Sequence, residues 1–472
     1  MMQARRARAV RRLVVLACFA AAALARADEN TDLDLIPPAS HEAASDTAAD
    51  ARHKIFLEDA FTQWKLRDGL EVPLPPPQPP HWQDRLLLDV RKEWSASEDL
   101  AFTYSGRLNL RAEDDLSFPT HEAVSHDFRE GFASWEAAPR TFIDAGRINL
   151  KSGVATGFNP TDFFKTRAVV QPLTADPTVL REDRLGTLML RAQHIGAGGA
   201  LSAAFAPGLY KPTPLYSSVD LPSFNPMFDR TNAHSRMLIK GSVDLQRNFS
   251  PELLLYREGS RTSVGANLTA SLGQSAVLYT EWAASRRPNL IEEALSYGLE
   301  TGTFPSGTPS VLPHDTAAHV RNDLAVGASY TTSEPVRITF NLEYHYHEAA
   351  FSSADWNNWF GIGHARASVL PVTEQLWYLR SFALDQQEPV TRHAAFLRFD
   401  WVDAFVPKLE LSGFIDVDLH DDSSLVQMAA DYYLSNAWTV GVVAAANLGS
   451  THSDFGSLPQ SASVLIKAAR YF

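Results

Sequence analysis

The 472-residue chain has almost no cysteine: Cys18 is the only one, so no disulfide framework can hold the fold together. Positive charge is short as well, with 42 Lys+Arg against 55 Asp+Glu and a formal net charge of −13. Such a chain repels phosphate backbones instead of displacing their counterions, and no nucleic-acid partner is expected. Past residue 27 no apolar run is long enough for a membrane helix. No Gly-x-Ser-x-Gly elbow and no phosphate-cradling glycine loop occurs, so the sequence is not expected to be an enzyme and calls for no cofactor. Wholesale disorder is disfavoured, because 45% of the residues are hydrophobic and 10% aromatic.

What is there begins with an address. Arg5, Arg6, Arg8, Arg11 and Arg12 precede an apolar stretch from Leu13 to Leu24, and Ala25-Arg26-Ala27 follows. That order is the pattern of a secretory signal peptide cut after Ala27. Its removal would take away six arginines, no acid and the only cysteine. A lipoprotein reading, with Cys18 acylated, is the alternative. Residues 28–52 are acidic and rich in Ala, Asp and Ser, the composition of a disordered stretch.

The rest of the chain alternates with a period of two. From Thr262 to Leu272, Val264, Ala266, Leu268, Ala270 and Leu272 oppose Gly265, Asn267, Thr269 and Ser271. From Val336 to His347, Val336, Ile338, Phe340, Leu342, Tyr344 and Tyr346 oppose Arg337, Thr339, Asn341, Glu343, His345 and His347. Side chains alternate faces along a strand, so each segment has one apolar and one polar face. Soluble sandwiches alternate too, but their strands are shorter. Runs of about 10–12 residues suit tilted strands crossing hydrocarbon, and Trp282, Tyr330, Tyr344, Tyr346, Trp401 and Trp438 sit where interfacial girdles belong.

Seventeen such segments can be marked, from 84–94 to 462–472. Alternating directions back from Phe472 makes one set of connections brief, such as Leu434-Ser435 and Ala137–Pro139, and the other long: 111–124, 151–184, 208–234, 286–319, 348–390 and 448–461. Short turns at one end and long loops at the other are the topology of an outer-membrane barrel. Single-chain bacterial barrels have even strand numbers. His53–Arg67 therefore becomes the candidate first strand, with a short helix as its alternative and the Pro-rich 72–80 stretch as an outer loop. The expected fold is all-β, a transmembrane antiparallel up-and-down barrel of about 18 strands, with 16 next. The expected organisation is 1–27 signal peptide, 28–83 N-terminal segment and 84–472 barrel.

Two patterns carry a resemblance. The chain ends in Ala468-Ala469-Arg470-Tyr471-Phe472, similar to terminal strands whose last Phe engages the barrel assembly machinery. Phe142-Ile143-Asp144-Ala145-Gly146-Arg147 ends in Gly-Arg, followed by Asn159-Pro160-Thr161-Asp162 and Arg181-Glu182-Asp183-Arg184. This resembles porin-like bacterial outer-membrane β-barrels. The resemblance implies passive or gated passage of solutes, or export of an envelope polymer or lipid; in the first reading small anionic or amphiphilic solutes are expected, and in the second residues 28–83 would meet a periplasmic partner. A barrel enzyme or adhesin working through its outer loops is a third reading. Lipid bilayer and lipopolysaccharide are the other partners implied.

Loop 151–184 is the best candidate site. Lys151, Lys165, Arg167, Arg181 and Arg184, flanked by Arg147 and Arg191, concentrate positive charge in an acidic chain. Phe163-Phe164 would anchor the loop if it folds inward. Asp162 and Glu182 would hold the arginines, while Glu281, Glu343, Glu410, Asp416 or Asp418 on other strands would face them across a lumen that Arg398 also lines. Charge arrayed this way selects ions and solutes. The alternative is that the arginines merely pair with neighbouring acids or lipopolysaccharide phosphates. Glu343, His345 and His347 have a spacing that could also suit a metal, though polar lumen wall is the plainer reading.

Overall fold

A computed structural model describes residues 53–114, 123–170, 174–215, 224–245 and 248–472. The expected signal peptide, Cys18 and the acidic 28–52 stretch lie outside these residues. Eighteen strands form one sheet. The first six are β1 (His53–Leu66), β2 (Trp82–Ser95), β3 (Leu100–Glu113), β4 (Val124–Ala138), β5 (Thr141–Ile148) and β6 (Thr187–Gly196). Next come β7 (Gly199–Ala206), β8 (Arg236–Val243), β9 (Phe249–Glu258), β10 (Arg261–Leu272), β11 (Ala276–Arg287) and β12 (His319–Thr331). The last are β13 (Ile338–His347), β14 (His393–Trp401), β15 (Leu409–Asp418), β16 (Ser424–Ser435), β17 (Trp438–Leu448) and β18 (Gln460–Tyr471).

Each strand pairs antiparallel with its neighbours in sequence, and β1 closes the ring on β18, with Phe56 opposite Tyr471 and Trp64 opposite Ser463. Closure leaves no unpaired edge. The fold is thus an all-β up-and-down barrel of 18 strands. His53–Leu66 is its first strand, so the barrel wall starts at His53, ahead of residue 84.

The burial pattern is that of a soluble sheet turned inside out. On β10 the polar-face residues Ser263 and Asn267 are buried, while Val264, Leu268 and Leu272 of the apolar face are exposed. Around the ring Leu190, Phe205, Leu253, Leu255, Val326 and Ile466 are likewise exposed, whereas Glu281, Glu343, Arg398 and Gln427 are buried. Exposing so much contiguous apolar surface to water would be unfavourable, and such a belt matches hydrocarbon. Trp94, Trp135, Tyr330 and Trp438 mark the turn end of the belt, and Trp82 and Tyr344 the loop end.

Among the described residues, five α-helices lie in the long connections. They are α1 (Pro177–Asp183), α2 (Phe228–Thr231), α3 (Leu290–Glu300), α4 (Ser353–Ala365) and α5 (Leu370–Gln386). Helices α3, α4 and α5 share an apolar core with Val72, Leu215 and Leu312, and Leu458 packs against it. Those residues come from connections spread around the ring, so the core forms a cap over the loop end. Polar bonds tie it together: Trp377 donates to the Pro73 carbonyl at 3.0 Å, and Tyr297 to the Thr213 carbonyl at 2.7 Å. Residues 53–81 are thereby committed to the wall and the cap.

Candidate lumen constriction

The described residues of the connection from β5 to β6, 149–170 and 174–186, fold into the barrel and meet the wall at four places. The first is acidic. Val154 and Ala155 donate backbone N–H groups to Glu281 Oε1 on β11, the second at 2.6 Å. Thr156 and Gly157 donate to the two oxygens of Glu343 on β13 at 2.5 and 2.9 Å. Four successive amides thus meet two carboxylates, a concave array suited to negative charge. Tyr279 and His345 hold Glu343 from the sides, each at 2.7 Å. Thr161 reaches Asn267 at 2.8 Å and Glu281 at 3.1 Å. A Cβ on Gly153 would fall inside the Glu281 carboxylate, and one on Gly157 would strike His345 and Phe396. Only glycine allows so close an approach here.

The second contact is aromatic. Interior Met189, Ala204, Leu238, Leu254 and Tyr256 form an apolar patch on β6 to β9. Phe163 stacks flat on Tyr256 with ring centroids 4.6 Å apart, and Phe164 meets the same ring edge-on at 5.8 Å. Phe163-Phe164 is the inward anchor its sequence suggested.

The third contact lies on the far wall. Thr174 and Ala175 donate to Gln427 Oε1 of β16 at 2.9 and 3.2 Å. Asp176, the N-cap of α1, accepts from Arg398 of β14 at 2.6 Å. Burial alone would raise the Asp176 carboxyl, but the Arg398 guanidinium outweighs it and holds the group below its ordinary range.

The fourth contact returns to the near wall. Asp89 on β2 accepts from Arg107 of β3 at 2.8 Å and from Arg129 of β4 at 2.6 Å. Asp183, the last residue of α1, bridges the same two guanidiniums at 3.0 and 3.1 Å. Arg85 of β2 and Asp127 of β4 are buried beside them. Against the effect of burial, Arg107 and Arg129 hold the Asp183 carboxyl below its ordinary range.

Most of the candidate charges have partners within the loop or its surroundings. Arg184 donates to both oxygens of Asp162 at 2.8 and 3.1 Å and to Asn149 at 2.6 Å. Arg181 donates to the Ser152 and Gly153 carbonyls at 2.8 Å each. Lys151 pairs with Glu182, and Lys165 donates to the Asn159 carbonyl at 2.8 Å above the Phe158 ring. Arg167 pairs with Asp385 in α5 at 3.1 Å, which joins the loop to the cap. Arg147 lies apart from these, buried between Phe128 and Phe228 and donating to the Gly186 and Pro226 carbonyls. Arg191 pairs with Asp144 at 2.6 Å. Besides Asp176, Arg398 holds Asp400 at 2.6 Å. Asp416 and Asp418 lie on the polar face of β15, and Asp418 accepts from Thr391 at 3.0 Å. His347 bonds Asp323 at 2.6 Å instead of turning toward Glu343, and among the described residues no cluster of His, Cys, Asp and Glu is arranged for a metal.

The sequence reading missed Arg85, Asp89, Arg107, Asp127 and Arg129. Their parity was legible, because all fall on the polar faces of predicted strands, and Arg107 stands directly opposite both Asp89 and Asp127.

No family model matches the chain, and no curated protein does. Among solved structures it is similar to Pseudomonas aeruginosa OccK11 (11% identity, TM-score 0.47, covering 89% of this chain and 95% of that one). Acinetobacter baumannii OccAB4 (7%, 0.46, 89% and 97%) and a triple mutant of the Rhodopseudomonas blastica porin (8%, 0.38, 89% and 99%) are also similar. These are likenesses of shape at low identity, and the functional reading rests on this chain's own residues.

Proposed function

We propose that the protein is a bacterial outer-membrane channel through which small anionic or amphiphilic solutes pass passively. The supporting observation is the pairing of an apolar belt outside with charged walls inside, crossed by one inward loop. A small eight-stranded barrel has an interior just wide enough for its own side chains to fill, whereas a ring of 18 strands encloses a wider space. This one keeps guanidiniums on β2 to β4 and carboxylates on β11, β13 and β15, with loop 149–186 between them. Opposed charge across a narrow lumen orients and sorts solutes. The apolar patch beneath Phe163 and Phe164 would suit the less polar part of an amphiphile. The loops would face outward and the turns the periplasm, with Phe472 at the periplasmic end for the assembly machinery. Of residues 28–83, the stretch before His53 would be the part left for a periplasmic partner.

The test is current through the purified protein in planar bilayers, with reversal potentials measured under a salt gradient. Discrete conductance steps with an anion preference support the reading. A folded, inserted protein that passes no current at any potential would overturn it.

A further inference from the structure

Arg107 and Arg129 form a fork. Arg129 turns one terminal nitrogen to Asp89 and the other to Asp183, while Arg107 shares its Nη2 between the two carboxylates and adds its Nε to Asp89, which is buried and fixes both guanidiniums. The two wall residues are firmly placed, with side chains 11% and 8% exposed, while the Asp183 side chain is 34% exposed. Asp183 belongs to the inward loop and the other three to the barrel wall. One carboxylate oxygen rests on each arginine, the geometry in which paired guanidiniums recognise a carboxylate.

We propose that this fork is a carboxylate-binding station of the lumen and that Asp183 is its built-in occupant, displaced when a solute carboxylate takes its place. The assignment rests on the channel reading for its role, though the binding itself does not. Without Asp183 both guanidiniums lose the carboxylate that bridges them from the loop side, so a vacated fork offers those N–H groups to another anion. A tethered carboxylate competes at a high local concentration, so the intact protein binds free carboxylates weakly. Removing the tethered group exposes the fork without disturbing Asp89.

The experiment compares the full-length protein with its Asp183→Ala variant, folded in detergent, by calorimetric titration with succinate and, separately, inorganic phosphate. Asp183→Ala is expected to bind succinate about tenfold more tightly than the parent. Adding Arg107→Met and Arg129→Met to that variant should abolish the binding, with heat-modifiable gel migration confirming an intact barrel. In bilayers, Asp183→Ala should shift the reversal potential toward anions, and succinate should reduce its current at lower concentration than in the parent. Equal succinate affinity in parent and Asp183→Ala overturns the proposal, as does binding that survives loss of both arginines. Tighter binding of phosphate than of succinate overturns the carboxylate assignment. Succinate binding without any bilayer current would sink the channel reading and leave the fork standing.

Discussion

Asp176 and Arg398 stand 2.6 Å apart, although the loop carrying Asp176 leaves the wall at β5 and Arg398 lies on β14. β14 stands nine places from β5 in a ring of 18, so the bond fixes the loop to the opposite side of the barrel. The loop is therefore a strut fixed at both walls, with Asp183 returning to the side it left. Breaking a buried pair by removing one partner leaves the other charge uncompensated, which costs about 3–5 kcal/mol. Arg398→Met should strand Asp176 and Asp400 together and release the far end of the strut. Limited proteolysis is expected to cut the variant between Asn159 and Asp183 while the parent resists; equal resistance would show that the far-wall bond holds nothing.

The strut also depends on carboxylates of β11 and β13 accepting amides. Glu281→Gln with Glu343→Gln keeps the shape but places NH2 groups against backbone N–H donors. Charge-assisted bonds are worth about 1.5–3 kcal/mol each, so losing several should free residues 154–157. The expected outcome is larger and noisier single-channel current than in the parent. Identical current traces would mean that this segment does not limit flow.

How much of this could be read from the chain was decided by parity. Alternation placed seventeen strands, because one face had to be apolar along each, whereas His53–Leu66 alternates poorly and follows from the even strand number of such barrels. It also located the long loops, and Phe163-Phe164 advertised an apolar seat. What alternation cannot supply is which distant strands a loop will touch. Nothing near Thr156 or Gly157 in sequence points to Glu343, and nothing near Asp183 points to Arg107. The cap was hidden for a similar reason: Trp356, Trp359 and Trp377 lie in segments without a strand period, and their packing follows from connections meeting above the ring.

Within that cap Arg380 lies 5.4 Å from each of the Trp356, Trp359 and Trp377 rings and pairs with Asp454. It also donates to Ser457 at 2.7 Å. Three cation–π contacts at a desolvated site reach roughly 2 kcal/mol each, and Asp454 would be left buried without its partner. Arg380→Ala should loosen the junction between α5 and the β17–β18 connection. Tryptophan emission is expected to shift to the red and quenching by acrylamide to rise, with the barrel still heat-modifiable. Unchanged emission would assign the cap's rigidity to its apolar contacts alone.

Acid should act on the strut in one direction. Burial alone would raise the Asp162 carboxyl, but Arg184 and Arg181 outweigh it and hold it below its ordinary range. A carboxyl depressed in the folded state stabilises above its unfolded value, near pH 4 for Asp. That contribution is lost only as pH falls through the lower folded value. Asp176 and Asp183 follow the same rule. Conductance should accordingly be flat from about pH 8 to pH 5 and change below about pH 4. A transition near neutrality would mean that groups other than these three control the loop.

The lipid-facing assignment carries the sharpest contrast between neighbouring residues. Leu268 and Asn267 are adjacent on β10, yet Leu268 is 41% exposed and Asn267 5%. If the exposed face meets hydrocarbon, an arginine there costs about 2–4 kcal/mol near the bilayer midplane and progressively less toward either rim. Leu268→Arg should lower folding stability in bilayers by that amount, read from urea titrations into lipid vesicles. Arg257, on the same outer face of β9 but at its loop end, sets the comparison, since Arg257→Leu should change stability little. A soluble sheet would give the opposite order, tolerating arginine at exposed Leu268 at almost no cost, and that result would remove the membrane from the description altogether.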